Sequence, residues 1–298
     1  MANTFQEQLL AWYARSAREL PWRRPDAGPW SVLVSEFMLQ QTPVARVLPA
    51  HARWLSRWPA PAALAAEAPG EAIREWGRLG YPRRALRLHE TAGILVARHD
   101  GQVPASLAEL RALPGVGGYT AAAVAAFAFG QRHAVLDTNV RRVLARLMAG
   151  LALPTGSAMS AAEIRIAESL MPDEPAVAAR WSVAVMELGA LVCTAAAPRC
   201  GECPLAAQCA WLAAGRPAAP DGARRPSQRY DGTDRQCRGR VLAMLRGSGA
   251  PVARVAFDAL WPDPVQLARA LDGLVSDGLV DPVADDTYAL PGGAIHRG

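Results

Sequence analysis

Lysine is absent from this chain of 298 residues, although arginine occurs 32 times. A reaction that needs a side-chain amine as nucleophile, such as Schiff-base formation, is therefore not available to a lysine here. Charged residues make up only 20% of the sequence and hydrophobic residues 51%, which excludes an intrinsically disordered chain. Five cysteines are too few for a disulfide scaffold, and four of them lie within 17 residues.

The sequence predicts neither export nor a membrane span. The first 20 residues carry four charges and lack the apolar core of a secretory signal. One run, 112–131, has no charge, but Pro114 and four glycines interrupt it, so a buried helix is the better interpretation. We expect a cytoplasmic monomer, in which clustered thiols stay reduced and bind metal rather than each other.

The net charge of +5 is unevenly distributed along the chain. Residues 211–254 hold nine arginines against three acids, whereas residues 255–298 hold two arginines against seven aspartates. The basic connector suggests a polyanionic partner such as nucleic acid. An arginine-rich, solvated linker explains the same charge equally well.

Helical patterns dominate the chain, because apolar residues recur at three- and four-residue spacing and Pro or Gly stands at the breaks. The pattern predicts an all-α body with helices at 5–18, 31–41, 61–67, 71–79, 85–98, 106–112, 119–129, 139–148, 160–170 and 177–191. The Pro/Gly/Arg-rich segment 216–228 predicts a linker. Beyond it, helices at 235–245, 254–260 and 265–275 and a hairpin at 278–290 predict a small α+β, winged-helix-like module.

The strongest chemical signal is a cysteine loop. Its ligand candidates are Cys193, Cys200, Cys203 and Cys209. Four thiolates this close can surround one centre at little loop-closure cost. Zinc sites more often pair two CxxC units across an intervening element, so the compact loop favours an iron–sulfur cluster over zinc by about two to one. Cys237 lies outside the loop and is expected to be a small buried hydrophobe.

A glycine-rich segment, Leu113-Pro-Gly-Val-Gly-Gly-Tyr-Thr120, stands between two predicted helices. Its glycines at 115, 117 and 118 allow a tight turn that exposes backbone N–H groups at the start of the next helix. Such a turn can hold a phosphate without reading bases. Taken alone, it is more often an ordinary interhelical turn.

Two carboxylates have distinctive contexts. Glu36 lies within an apolar helix start, where lost hydration would raise its pKa and keep it protonated as a general acid. An exposed edge of an amphipathic helix is the alternative for Glu36. Asp137 precedes a predicted helix and is expected to cap it, which is compatible with a further role. A neutral Glu and an ionised Asp would suit cleavage of a glycosidic bond.

Several aromatic and amide residues could contact a base stack. Gln40, Gln41 and Tyr81 lie at predicted helix ends or loops and could wedge into stacked bases. Trp22 could stack on a single base. Each of these, taken alone, is more often a packing or capping residue.

Seven segments together carry a resemblance that no single motif does. They are LPWR (20–23), SEFMLQQT (35–42), LGY (79–81), LPGVGGYTAAAV (113–124), LDTNVRRVLAR (136–146), MELGALVC (186–193) and the cysteine loop. In this order, across roughly residues 5–212, they resemble the helix–hairpin–helix DNA glycosylases that carry an iron–sulfur cluster. Within that superfamily the chain is most similar to the adenine DNA glycosylases of the MutY type.

The resemblance implies a two-domain helix–hairpin–helix fold and a [4Fe-4S] cofactor. A six-helix barrel would cover 22–132, an iron–sulfur cluster domain 1–21 and 133–212, a linker 213–230, and the winged-helix-like module 231–292. The implied activity is base excision repair of double-stranded DNA, with removal of adenine mispaired with 8-oxoguanine or guanine after the base has been flipped out.

The resemblance also implies roles for individual residues. Glu36 would protonate the adenine ring and later assist water, and Asp137 would stabilise the positive sugar, with Tyr119 and Asn139 arranging the site. The residues that would line the adenine pocket are Trp22, Arg23, Leu39 and Glu187. Those that would contact DNA are Gln41 and Tyr81, as wedges beside the opposite base, and Gly115, Val116 and Gly117, at the phosphate backbone. The cluster ligands would be Cys193, Cys200, Cys203 and Cys209.

Tyr119 occupies the position at which bifunctional relatives resembling endonuclease III carry a lysine, so we expect a monofunctional glycosylase. The usual family member ends in a Nudix-like domain, whereas the residues that follow the cysteine loop here show no Nudix pattern and are expected to form the winged-helix-like module instead. Pro82 stands where the family often has a second tyrosine. Two alternatives remain: a mismatch thymine/uracil glycosylase of the same superfamily, and a non-catalytic iron–sulfur, winged-helix DNA-binding regulator.

Overall fold

A computed structural model describes residues 2–156, 158–219 and 230–292 of the chain. Helices dominate these residues, as the apolar spacing predicts. The helices before residue 220 are α1 (Ala2–Ser16), α2 (Pro29–Leu39), α3 (Val44–Arg57), α4 (Pro61–Ala65), α5 (Pro69–Trp76), α6 (Arg83–Arg98), α7 (Leu107–Ala112), α8 (Gly118–Phe129), α9 (Thr138–Ala149), α10 (Ala161–Leu170), α11 (Pro175–Leu191) and α12 (Ala210–Ala213). No helix among the described residues is both long and apolar enough to cross a membrane.

Helix α3 was missed by the sequence pattern, which leaves 42–60 without a helix. Pro49 lies inside this segment, and an internal proline removes a backbone hydrogen bond and argues against a helix. The structure nevertheless places Pro49 within α3, whose buried residues are Val47, Ala50, His51 and Trp54. The burial of this face outweighs the local cost of the proline.

Contacts divide the chain into two compact units, each built from segments that are distant in sequence. The first unit comprises Met1–Val32, Ala105–Ala112 and Val116–Pro226. Its core lies among α1, α9 and α11, where Leu9, Trp181 and Leu188 are at most 1% exposed. Full burial of an apolar side chain of this size contributes roughly 1.5–3 kcal/mol. The cysteine loop follows α11, and three of its cysteines pack against this core.

The second unit comprises Leu33–Pro104, Leu113–Gly115 and Ser227–Gly298. Its N-terminal part contains most of α2 and all of α3–α6. Three tryptophans meet edge-on in its core: the ring centroids of Trp54 and Trp58 are 4.6 Å apart, and those of Trp54 and Trp76 are 5.6 Å apart. This edge-to-face arrangement is the one that aromatic quadrupoles favour.

The C-terminal module, residues 230–292, belongs to the second unit. Its elements are α13 (Asp234–Gly247), β1 (Val252–Ala253), a 3₁₀ helix at Arg254–Leu260, α14 (Pro264–Ser276), β2 (Asp281–Val283) and β3 (Thr287–Ala289). The three strands form an antiparallel sheet in the order β1-β3-β2. Helical elements and a strand pair lie within the segments for which the sequence predicts helices and a hairpin, and the winged-helix-like assignment stays a prediction. The predicted linker falls largely on 220–229, outside the described residues, and the predicted domain limits stay a prediction.

Candidate functional site

Glu36 lies on α2, in the second unit, and is only 5% exposed. Its neighbours along the helix, Leu33, Val34, Phe37 and Met38, are fully buried. The structure thus buries Glu36, and the exposed-edge alternative considered for this residue is wrong.

Asp137, in the first unit, caps α9. Its Oδ1 accepts a hydrogen bond from the backbone N–H of Val140 over 2.7 Å, and its Oδ2 accepts one from the side-chain amide of Asn139 over 2.8 Å. Burial raises the pKa of Asp137, while these hydrogen bonds and the charge of Arg142 oppose the rise. The carboxyl is therefore poorly hydrated but held by donors that favour its ionised form.

Arg142 connects Asn139 to the start of the cysteine loop. Its guanidinium donates to Oδ1 of Asn139 over 2.8 Å, to the carbonyl of Gly189 over 2.7 Å and to the carbonyl of Cys193 over 2.8 Å. Gly189 has no room for a side chain, because a Cβ there would stand 2.8 Å from the Cβ of Asn139. Helices α9 and α11 thus approach closely where Asp137 is positioned.

Glu187, on α11, is fully buried and pairs with two arginines. Its Oε1 accepts from the Nε of Arg18 over 2.7 Å, and its Oε2 accepts from Arg18 over 2.7 Å and from Arg23 over 2.9 Å. Burial alone would raise the pKa of Glu187, but the hydrogen bonds from Arg18 and the charge of Arg23 outweigh it and lower that pKa. Arg23 and Glu187, which are both expected to line the adenine pocket, are thus joined by an ion pair. Trp22, the residue before Arg23, is buried.

The glycine-rich segment forms the turn between α7 and α8. Gly115 has a φ of +77°, and a Cβ at this position would stand 2.9 Å from the Phe37 ring and 3.0 Å from the Cβ of Arg87. Gly117 is the N-cap of α8, and no side chain caps the helix there. Val116 is buried, whereas Gly115 and Gly117 are exposed. Tyr119 lies in the first turn of α8 and packs against a small apolar cluster around Ala123 and Val135.

Gln41 and Tyr81 both adopt left-handed backbone conformations, with φ of 53° and 47°. Such values are uncommon for residues other than glycine. Both side chains are exposed, and Leu39 ends α2 just before Gln41. In the second unit these two turns are joined by Arg84. It donates to the carbonyls of Gln40 and Gly80, and its guanidinium lies 5.3 Å from the Tyr81 ring.

The four cysteines of the loop line one cavity, with apolar neighbours such as Val192 and Trp211. Burial raises the pKa of Cys203 to about 11. Among the described residues, no three His, Cys, Asp or Glu side chains are arranged to hold a single metal ion. Arg146 braces the loop. It donates to the Sγ of Cys193 over 3.3 Å and to the carbonyl of Thr194 over 2.8 Å, and its guanidinium lies 4.4 Å from the Trp211 ring.

Sequence reasoning missed four arginines that hold candidate residues in place: Arg18, Arg84, Arg142 and Arg146. The available signal was the regular spacing of Arg142 and Arg146, four residues apart on one helix, just after Asp137. Arg18 and Arg84 carried no local signal, because their partners are distant in sequence.

Comparison with known proteins gives a family and several relatives. The HhH-GPD superfamily base excision DNA repair protein family matches residues 34–163. The adenine DNA glycosylase of Mycolicibacterium smegmatis is 50% identical over 286 residues, covering 96% of this chain and 95% of that protein. A match of this length includes most of the C-terminal module.

Two further proteins are similar over the body of the chain. The thymine/uracil-DNA glycosylase of Pyrobaculum aerophilum is 35% identical over 205 residues, covering 68% of this chain and 88% of that protein. The solved structure of a thermostable thymine-DNA glycosylase superposes with a TM-score of 0.65 at 25% identity, covering 72% of this chain and 97% of that one. The predicted helix–hairpin–helix glycosylase fold is thereby confirmed.

Proposed function

Because the chain belongs to the adenine DNA glycosylase family of the HhH-GPD superfamily, we propose that it hydrolyses the N-glycosidic bond of adenine in double-stranded DNA. The adenine would be mispaired with 8-oxoguanine or guanine. The observation that carries the proposal is the 50% identity to an adenine DNA glycosylase along 95% of that protein's length. The positions of the candidate residues within each unit support it.

The reaction needs a proton on the departing base and a negative charge for the sugar. We assign the proton to Glu36, whose carboxyl would protonate a ring nitrogen of adenine and make the base a leaving group. The resulting carboxylate would then accept a proton from the attacking water. Asp137 would stabilise the oxocarbenium-like sugar. Its two hydrogen-bond donors, Val140 and Asn139, favour the ionised form that this role requires, and Tyr119 would help to arrange the site.

The other candidate residues divide between base recognition and DNA contact. Trp22, Arg23, Leu39 and Glu187 would line the adenine pocket. The buried ion pair between Arg23 and Glu187 would fix both side chains in orientation there. Gln41 and Tyr81 would wedge beside the opposite base, since each stands exposed on a left-handed turn. The turn at Gly115, Val116 and Gly117 would hold backbone phosphate through N–H groups at the start of α8.

The cysteine loop would hold a [4Fe-4S] cluster. Cys193, Cys200, Cys203 and Cys209 line a single cavity, and a donor set of four thiols is the one that such clusters use. The compact spacing of the four cysteines along one loop favours a cluster over zinc. The cluster would shape the loop. Arg146 and Arg142, both on α9, hold the loop to that helix through hydrogen bonds to Cys193. Arg142 also donates to Asn139, the residue whose side chain binds Asp137.

The enzyme would release the base without cutting the strand. Strand cleavage by bifunctional relatives begins with attack of an amine on the sugar, and this chain contains no lysine. By the resemblance, Tyr119 would take the position at which the bifunctional relatives carry that lysine. Strong strand cleavage at neutral pH, without added base or heat, would contradict this assignment.

The C-terminal module has the helix–strand–helix–helix–hairpin order of a winged helix, and we infer that it is a winged-helix-like module. A thymine/uracil glycosylase is the second candidate function, favoured by the 35% identity to the Pyrobaculum aerophilum protein. The two functions differ in the base released, so the choice of substrate separates them.

The proposal is tested by base release from duplexes that carry A, T or U opposite 8-oxoguanine or guanine. We expect release of adenine from both mispairs, and release of thymine or uracil instead would establish the second candidate. Glu36→Gln should lower the rate by about 10²–10⁴-fold while duplex binding persists. Glu90→Gln, on the exposed side of α6, is the matched control. An unchanged rate in Glu36→Gln would mean that another group supplies the proton, whereas no base release from any duplex would indicate a binding protein.

A further inference from the structure

Helix α14 and the hairpin of the C-terminal module expose several aspartates. These exposed aspartates lie at the start of α14, within α14 and in the turn of the β-hairpin: Asp263, Asp272, Asp285 and Asp286. The one arginine of α14, Arg269, donates to both carboxylate oxygens of Asp234 over 2.8 and 2.7 Å. DNA binding depends on cations that face phosphates. The role of the module is therefore better sought in its contacts with the helices of its own unit.

The C-terminal end of the module is seated on the first turn of α5. The N–H of Gly70 donates to the carbonyl of Pro291 over 2.7 Å. A Cβ at Gly70 would stand 2.7 Å from that oxygen and 2.8 Å from the Cβ of Leu290. A Cβ at Gly292 would stand 2.9 Å from the Cδ of Pro69. Two glycines thus permit a backbone approach that any side chain would prevent.

A second contact joins the C-terminal end of α13 to the middle of α5. The Nε of Arg246 donates to the carbonyl of Ile73 over 3.0 Å, and Arg74 donates back to the carbonyl of Arg246. Each helix therefore supplies an arginine that binds a main-chain carbonyl of the other. Such reciprocal bonds fix the position of both helices more tightly than apolar contact does.

A third contact lies beyond the Tyr81 turn. Asp277, at the end of α14, accepts from Arg83 over 3.3 Å and also from Arg238 of α13. Arg83 is the first residue of α6 and stands two positions after Tyr81. The module thus contacts both helices that flank the turn at residues 77–82.

The turn itself is held by α5 and α6. The indole N–H of Trp76, the last residue of α5, donates to the carbonyl of Gly80 over 2.9 Å. Arg84 of α6 donates to the same carbonyl over 3.0 Å. The positions of α5 and α6 therefore decide where the exposed ring of Tyr81 stands.

We propose that the C-terminal module positions the Tyr81 turn, and thereby sets how strongly the enzyme distinguishes the base opposite adenine. The proposal rests on the proposed function, in which Tyr81 is the wedge beside that base. In this enzyme the module would act on lesion preference through α5, α6 and the turn between them. Arg246 and Asp277 are positioning residues in this arrangement.

A double-mutant cycle in the full-length protein tests the proposal. The measured quantity is the ratio of single-turnover rates for adenine opposite 8-oxoguanine and opposite guanine. Tyr81→Ala and Arg246→Met should each lower this ratio, by about three- to tenfold for Arg246→Met. In the Tyr81→Ala background Arg246→Met should have no further effect, because both changes act on one element. A general loss of stability would not produce this non-additivity.

Two further variants keep the result interpretable. Arg240→Met is the matched control, since Arg240 donates within the module to the carbonyl of Leu260, and it should leave the ratio unchanged. Asp277→Asn replaces Arg246→Met if the latter unfolds, and should act in the same direction. An unchanged ratio in Arg246→Met and Asp277→Asn, or additive effects with Tyr81→Ala, overturns the positioning role alone. An unchanged ratio in Tyr81→Ala overturns the wedge assignment as well.

Discussion

The side-chain amide of Asn139 donates to Oδ2 of Asp137 over 2.8 Å, two residues along the first turn of the same helix. The oxygen of that amide accepts from Arg142, so the amide cannot turn round without losing both bonds. Asn139 is thereby fixed as a donor toward the carboxyl. In the proposed mechanism it keeps Asp137 ionised in surroundings that burial makes unfavourable for charge.

Asn139→Ala should move the acidic limb of the pH–rate profile to higher pH. Burial raises the pKa of Asp137 and the hydrogen bond from Asn139 opposes the rise, so removal of the bond raises that pKa further. The rate falls as pH falls through this pKa, because the ionised form is the active one. A shift of about one pH unit is expected from a hydrogen bond to a charged group. Single-turnover base release measured across pH checks it, with the exposed neighbour variant Thr138→Ala as control. If the acidic limb does not move in Asn139→Ala, the ionisation that causes it belongs to a group other than Asp137.

Glu187→Gln should destabilise the fold by about 3 kcal/mol at neutral pH, since it leaves Arg18 and Arg23 without their anion. The pKa of Glu187 is held below its ordinary value, so its stabilising contribution is complete at neutral pH and is lost as pH falls through the native pKa. The difference between parent and variant should therefore shrink in acid. Denaturant unfolding at neutral and acidic pH measures it.

The control for Glu187 is Glu202→Gln, which breaks the exposed ion pair between Glu202 and Arg199. An exposed pair contributes about 0–1 kcal/mol, so this variant should unfold close to the parent. A similar loss of unfolding free energy in both variants would mean that the buried ion pairs of Glu187 stabilise the fold no more than an exposed pair does.

Gly115→Ala should weaken DNA binding and lower stability by about 1–3 kcal/mol, because a side chain is strained at this positive φ and meets Phe37 and Arg87. Gly118→Ala is the matched control, since nothing lies within 4 Å of a Cβ there. Duplex affinity and the unfolding free energy are measured for both. Equal affinity and equal unfolding free energy in the two variants would contradict the claim that position 115 requires a glycine.

Arg146→Met should lower the amount of cluster per chain, because it removes the donors to Cys193 and Thr194 that hold the loop to α9. Iron content and visible absorbance of the purified protein measure the loss. Arg199→Met is the matched control from the same loop, where Arg199 is more than half exposed, and it should keep its iron. Full iron content in Arg146→Met would show that the cysteines alone hold the loop.

Chain-local features of this protein follow from its sequence. Asp137 caps α9 because its partner N–H lies three residues away. The four cysteines are close enough in sequence to lie in one loop. The positive φ of Gly115 follows from the glycine-rich turn. The absence of lysine needs no structure to exclude a lysine Schiff base. For the Asp137 cap the interacting groups are three residues apart, so the local pattern contains both partners.

Only the tertiary structure decided the long-range partners. Arg18 and Glu187 are 169 positions apart, and Arg246 reaches α5 from 173 positions away. Helix α3 was missed because Pro49 argues against a helix locally, whereas the burial that stabilises the helix depends on its tertiary contacts. The local sequence does not show which acceptor each of the 32 arginines binds. A guanidinium can donate to any carbonyl or carboxylate that folding brings near. The sequence therefore determined which groups were available, and the packing of distant helices determined which of them meet.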